Sequence, residues 1–551
     1  MKRNLFVLLA VFTLLFQSTA LAQKAVRITP AERKRAVAIT AAQLKNYLYF
    51  VASDAMGGRD TPSQGLDITA EFIKMNLERW GFKPAGDNGT FFQKIALKSD
   101  TVDAQNTLLS IDGRPFALGD DFVRMMGSGS ASALMVYAGD GWVVKSKGLD
   151  AYGGMDISGK IVVLSSDSFP SSNTLTRRPA GVAQTDLTGT KGTDWADPLT
   201  YARDHGAAGV IVIASPTGWD QVRRIYTRGS TYPEKLREAP AAATTARSMP
   251  VAIVSSKAAE TIFAGASGNK DSKTAFAVNK TVSMTVMTRS ETKWTQNVVG
   301  IWEGGDPKLK NEMVAIGAHY DHVGTNPNAP GDDKIWNGAD DDGSGTVAVL
   351  SIAEALAKSR IRPKRSILFV WHCGEEKGLW GSEYFNKFPT VDIKNVVTQL
   401  NIDMIGRSQD PNNIIPCDRP GKRCDQELSK PNEIYVIGTE MMSSTLSSVT
   451  KGTNSAYLKL DYNYRYDDPK DPNQFFFRSD HFHYAHSGVP IVFWFDGVHE
   501  DYHQASDSPD KIDYQKMQKV ARTIFLTMWE VADLRTRPVV DKVLPPALSE
   551  R

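Results

Sequence analysis

Three apolar runs in the second half of this 551-residue chain each end in side chains that do chemistry. Met313 to Ala318 runs into His319-Tyr320-Asp321, Ser366 to Trp371 into His372-Cys373-Gly374-Glu375-Glu376, and Gln399 to Ile402 into Asp403-Met404-Ile405-Gly406. Two further stretches join them. Asn337 to Gly345 is a Gly-flanked acidic turn, with Asp340-Asp341-Asp342 at its centre, that opens a helix, and Ser479-Asp480-His481 precedes the apolar run from Val489. Carboxylates gathered at strand ends repel one another unless a cation neutralises them, and His with Asp or Glu is the ligand set expected for zinc. The imidazoles His319 and His481 with the carboxylates Asp340, Glu376 and Asp403 exceed what one catalytic zinc uses. They suit two ions sharing a carboxylate and a water. Of the adjacent Glu375 and Glu376, one can bind metal while its neighbour serves as a general base.

The elements that must position these groups are legible around them. From about Thr292 the chain alternates strand and helix, with apolar runs at Met313–Ala318, Ser366–Trp371, Val396–Ile405 and Val489–Phe495 and a helical stretch at Gly345–Lys358. The strands are apolar throughout, so both faces are covered, as in a mixed, mostly parallel α/β sheet flanked by helices. Ligands in such sheets bind beyond the carboxyl ends of the strands. Between Ala31 and Trp80 apolar residues recur at helical spacing around a Gly57-Gly58-Arg59-Asp60-Thr61-Pro62 turn, which predicts two helices and a loop. Residues 117–286 differ: short Val/Ile runs such as Ile161–Leu164 and Val210–Ile213 alternate with Gly-, Ser- and Thr-rich turns, predicting a separate, mainly-β inserted domain. The catalytic domain is then 23–116 joined to 287–551.

Met1-Lys2-Arg3, an apolar run from Leu5 to Phe16 and a small-residue ending at Ala22 read as a secretory signal peptide spanning 1–22. The run is too short to span a bilayer, and no later segment does so; the mature chain is expected to lack a stable membrane anchor and to be secreted or periplasmic. Removing Lys2 and Arg3 takes the formal charge from +2 to zero, which argues against a nucleic-acid partner. The remaining length exceeds one comfortable core, so at least two domains are expected. Three cysteines are too few for a disulfide scaffold, although Cys417 and Cys424 can close one small loop in an oxidising compartment.

Taken in order, His319-x-Asp321, Gly338-Ala-Asp340-Asp341-x-Gly-Ser-Gly345, Glu375-Glu376, Asp403-Met404 and Ser479-Asp480-His481 resemble the secreted di-zinc aminopeptidases of peptidase family M28, whose relatives include glutamate carboxypeptidase and glutaminyl cyclase. Ser53-Asp54-Ala-Met56-Gly-Gly58-Arg59 and Asp501-Tyr502-His503-x-x-x-Asp507-x-Pro509-Asp510 extend the likeness to most of the chain. Residues 157–164, Tyr201 to Ile213 and Met249 to Ile253 resemble a protease-associated domain. The resemblance implies two zinc ions per chain: one on His319 and Asp403, the other on Glu376 and His481, with Asp340 bridging. It further implies Glu375 as base, Asp321 as the orienter of His319, and a cis peptide between Asp340 and Asp341. It places His503 near the site as a group that hydrogen-bonds substrate or a developing oxyanion. The implied substrate is a peptide, cut at its amino terminus.

Three alternatives stand beside that expectation: a carboxypeptidase or dipeptidase of the same family, a one-zinc glutaminyl cyclase, and a receptor-like protein without catalysis. His205, His322, His372, His483, His486 and His499 read as ordinary surface or core imidazoles, and Phe475-Phe476-Phe477 as a core or loop anchor. Side-chain preference, oligomeric state and the inserted domain's role stay open.

Overall fold

Val314, Ile316 and Ala318 on one side of a strand, and Met313 and Ala315 on the other, are all buried, which is what an apolar run must do when both of its faces are covered. This strand, Met313–His319, is central to a mixed sheet in the computed structural model, which describes residues 26–165, 178–227, 229–237, 249–272, 274–359, 361–410 and 427–544. The expected signal peptide and the Cys417–Cys424 pairing lie outside the described residues.

The chain divides into two compact units, one formed by residues up to Lys94 together with those from Gln296 onward, the other by Ile95–Thr295. In the first unit the strands run in the order Thr288–Trp302, Ser366–His372, Met313–His319, Val396–Ile402, Ile491–Phe495, Glu433–Ile437, Asp461–Asn463. The second to fifth of these are mutually parallel, and Thr288–Trp302 and Glu433–Ile437 flank them antiparallel. The pairing sets His319 beside His372 and Ala315 beside Leu368, so the chemically active strand ends finish level with one another.

Met313, Ala315, Leu368 and Val370 share a core with Phe385 and Tyr484, carried by the helices Trp380–Lys387 and His481–His486. The opposite side chains meet the helices Gly345–Ser359 and Tyr514–Asp533, which also pack on each other. The early region forms three helices rather than two: Pro30–Ala36, Ala41–Val51 and Gln64–Trp80. Thr40, whose Oγ1 accepts from the Gln43 N–H at 3.2 Å, caps the second helix and separates it from the first, a local device that helical periodicity does not register and that contributes about 1 kcal/mol.

The second unit is longer at both ends than the expected 117–286. Leu108–Ile111 and Arg114–Phe116 belong to its sheet because Leu108–Ile111 pairs with Phe276–Val286. Its centre is again a parallel run, Gly129–Tyr137, Ile161–Ser165, Gly209–Ile213 and Val251–Val254. The helices Pro198–Asp204, Trp219–Thr227 and Ser256–Phe263 join these strands, and a separate apolar core covers each sheet face.

Candidate metal centre

Beyond the carboxyl ends of the first unit's strands, two groups of side chains converge and share Asp341. His319, Asp341 and Asp403 form one; His322, Asp341, Glu376 and His503 form the other, with the donor atoms of each group all within 4.8 Å of one another. His319 Nε2 stands 3.3 Å from Asp341 Oδ1 and 3.7 Å from Asp403 Oδ2. His503 Nε2 lies 3.0 Å from Asp341 Oδ2 and 3.0 Å from Glu376 Oε2. Glu375 Oε2 is 3.9 Å from His319 Nε2.

Each member is held from behind. His319 Nδ1 meets the Asp321 carbonyl at 3.2 Å and its carboxylate at 3.6 Å, which turns Nε2 toward Asp341. Asp321 in turn accepts from Thr61 Oγ1 at 3.0 Å and from the Glu375 N–H at 3.2 Å, tying Glu375 to the same support. Ser479 donates to Asp403 Oδ2 at 2.6 Å. The acidic turn is anchored by Asp507, which accepts the backbone N–H groups of Asp340 and Asp341, and by the fully buried Arg59, whose guanidinium donates to the carbonyls of Val51, Tyr320, Asn337 and Gly338.

The electrostatics fit a cation. His319 Nε2, Asp341 Oδ2, Glu376 Oε1 and His503 Nε2 are buried and make no aligned hydrogen bond among the described residues, an arrangement costly in itself and natural for metal donors. Burial alone would lower the proton affinity of His503, but Asp341 and Glu376 outweigh it and push the imidazole up to about 10. Burial likewise opposes charge on His319, and Glu375, Asp403, Asp321 and Asp341 raise it well above the usual imidazole range. Burial raises Asp341, yet its imidazole neighbours hold it well below the ordinary carboxylate range. Glu375 is driven strongly upward, first by burial and then by the charges of Glu376, Asp403 and Asp480.

Two of the expected donors stand outside both groups. Asp340 is turned from the cluster: its Oδ1 accepts from the Gly406 N–H at 2.7 Å and its Oδ2 faces His499 Nε2 at 3.2 Å. Adjacent residues of a turn point to different sides, and Asp341 is the one that faces inward. The cis peptide is correspondingly at Asp341–Asp342. His481 is not in either group. Its Nε2 lies 2.8 Å from the Phe476 carbonyl, its ring stacks 4.5 Å from that of Phe493, and burial pushes it down to about 3, so it is a neutral core imidazole. His503, expected to touch substrate, stands among the metal-competent groups instead, and so does His322, expected to be ordinary. The spacing from Tyr502 to Asp507 marks this turn as part of the site, but no local signal separates a donor from a substrate contact.

A cleft of about 350 Å³, counted to its open mouth, adjoins the cluster. Asp341, Glu375 and Asp403 form its polar wall; Phe475, Phe493 and Phe495 form an apolar one. Phe475 is thus both core anchor and cleft wall. Arg478, the cation among the lining residues, lies 4.8 Å from the centre of the Phe475 ring. Tyr502 also lines the cleft, and burial beside acidic groups keeps its phenol protonated.

Residues 297–528 match the family model described as Peptidase family M28. Leupeptin-inactivating enzyme 1 of Streptomyces exfoliatus is 33% identical over 148 residues, covering 26% of this chain and 31% of that protein. Leucine aminopeptidase 2 of Arthroderma otae is 32% identical over 135 residues, 24% of each. The chain therefore spans between a quarter and a third of the length of these curated relatives. Among solved structures, an aminopeptidase from Aneurinibacillus sp. strain AM-1 aligns over 93% of this chain and 98% of its own at 15% identity, with a TM-score of 0.47. A glutaminyl cyclase from Porphyromonas gingivalis aligns over 45% and 78% at 16% identity, with a TM-score of 0.31.

Proposed function

We propose that this chain, which belongs to peptidase family M28 through residues 297–528, is an exported zinc-dependent aminopeptidase that removes the first residue of a peptide using two zinc ions. The observation that carries the reading is the pair of donor groups sharing Asp341, with Glu375 beside them on the wall of a cleft that is acidic on one side and aromatic on the other. His319 and Asp403 would hold one ion, Glu376 and His503 the other, and Asp341 both. Zinc there supplies Lewis acidity to the scissile carbonyl and lets water act as a nucleophile near neutral pH.

The chain's own residues do the rest. Glu375 takes the proton of the attacking water and hands it to the leaving amine, from the cleft wall where its Oε2 lies 3.9 Å from His319 Nε2. The phenol of Tyr502 donates to the developing oxyanion. A terminal carboxylate would need a cationic partner, and Arg478 is the one cationic side chain among the residues lining the cleft, which favours an amino terminus. The aromatic wall receives an apolar first side chain, in keeping with the leucine aminopeptidases among the relatives.

The test is hydrolysis of paired free and amino-acetylated peptides by residues 23–551, with zinc present and after chelation. Zinc-dependent release of the first residue from free peptides alone supports the reading. Release from the carboxyl end would move the chain to the carboxypeptidases, and cyclisation of amino-terminal glutamine to the cyclases.

A further inference from the structure

The two donor groups are unequal, and the inequality rests on His322. Its ring is fully buried, one residue beyond the Asp321 that supports His319, and its backbone N–H donates to the Arg59 carbonyl at 3.1 Å. The ring lies against Gly338, where a Cβ would come 2.4 Å from its Cγ, so the start of the acidic turn is shaped around this imidazole. Because the Arg59 guanidinium binds the carbonyls of Tyr320 and Gly338 together, the strand end bearing His322 and the turn bearing Asp341 are fixed to each other.

Held in this way, His322 Nδ1 is 2.8 Å from Glu376 Oε1 and 3.7 Å from Asp341 Oδ2. Its ring is 5.6 Å from that of His503 and tilted 74° to it. The Nδ1 atom is buried, and the short approach to Glu376 is not aligned as a hydrogen bond, which is how donors sit when they face a common point rather than one another. Resting on the two-zinc reading above, we propose that His322 is a fourth protein donor to the second ion, through Nδ1, alongside Asp341, Glu376 and His503. That position is then closed by four protein donors, while the first, with His319, Asp341 and Asp403, has three and keeps room for water and substrate. Closed sets retain zinc structurally and three-donor sets catalyse. The second ion would then hold the centre together, and the first would supply the Lewis acidity.

The experiment uses the full mature chain with the metal alone. Zinc content is followed during graded chelation, and the stripped protein is refilled with cobalt(II), whose visible absorption is strong in a four-coordinate site and weak when coordination rises. The variants are His322→Ala and His322→Gln, with Asp403→Ala as the control that opens the other position. The wild type should lose one ion early and the second late, with the late ion giving the strong absorption. In both His322 variants the late ion should leave with the early one, its affinity lowered more than the 10- to 100-fold typical of a group that merely orients a ligand, and the strong band should fade. Asp403→Ala should keep the late ion and its band. An unchanged cobalt band in the Gln variant would overturn the assignment and leave His322 as a hydrogen-bond support for Glu376. A wild type binding fewer than two ions would instead defeat the two-zinc reading. Melting of the metal-free variants, expected to match the metal-free wild type, separates loss of a donor from loss of the fold.

Discussion

The two units are built on the same plan and differ in the residues that their strands lead into. Each has four parallel strands at the middle of a mixed sheet, apolar cores on its faces and helices in its connections. In the first unit those strands deliver His319, Glu375, Glu376 and Asp403 at or beyond their carboxyl ends. In the inserted unit three of the corresponding ends lead to Ala138-Gly139-Asp140, Ala214-Ser215-Pro216 and Ser255-Ser256, and the fourth, that of Ile161–Ser165, leads outside the described residues. There Asp140 accepts from the Trp142 N–H at 3.1 Å and Ser255 caps a helix. Both metal-competent groups found among the described residues belong to the first unit. The sheet supplies a place for chemistry, and the residues at its edge decide whether any occurs.

The comparison breaks first at Asp341. Asp341→Asn should remove both ions and lower kcat/KM by about three orders of magnitude or more, since a metal contributes several kcal/mol to the transition state. Asp340→Asn should keep its metal; equal metal loss in both variants would return the shared role to Asp340. Glu375→Gln should reduce kcat by about 10²- to 10⁴-fold with metal content intact, read by single-turnover kinetics beside elemental analysis.

The inserted unit supplies the converse. Ile211 is fully buried in its sheet, and Ile211→Ala should destabilise that unit by about 2–5 kcal/mol in denaturant melts while leaving two ions bound. His481→Gln, which weakens a hydrogen bond to the Phe476 carbonyl and a ring stack, should cost about 1–3 kcal/mol without changing metal content. The smallest effect is protonic. His503, at about 10 in the folded chain against 6.5 unfolded, stabilises the metal-free protein fully below pH 6.5, and that contribution disappears as the pH rises toward 10. Zinc must displace this proton, so titrating the stripped chain at about pH 8 should release acid, detectable as a buffer-dependent binding enthalpy. His503→Ala should release less.

Much of the first unit was legible because both-face burial demands continuous apolar runs, and those runs stop where the polar residues begin. Met313–His319, Ser366–His372 and Val396–Ile402 start where their sequences predict, and the first two run one residue longer. The edges of the inserted unit were less so, since Leu108–Ile111 joins it through a partner roughly 170 residues away, a pairing that no local pattern announces.

The same division holds inside the site. Residue type and strand-end placement were enough to determine that this chain gathers imidazoles and carboxylates around a cation, and which segments bring them. Which member of Asp340-Asp341-Asp342 faces inward, and which of His322, His481 and His503 stands among the metal-competent groups, was decided only by the tertiary structure. Both choices depend on a difference of one residue or one side-chain direction. That direction is set by contacts from distant parts of the chain: Asp507 and Arg59 on the acidic turn, Phe476 and Phe493 on His481, Gly338 under His322.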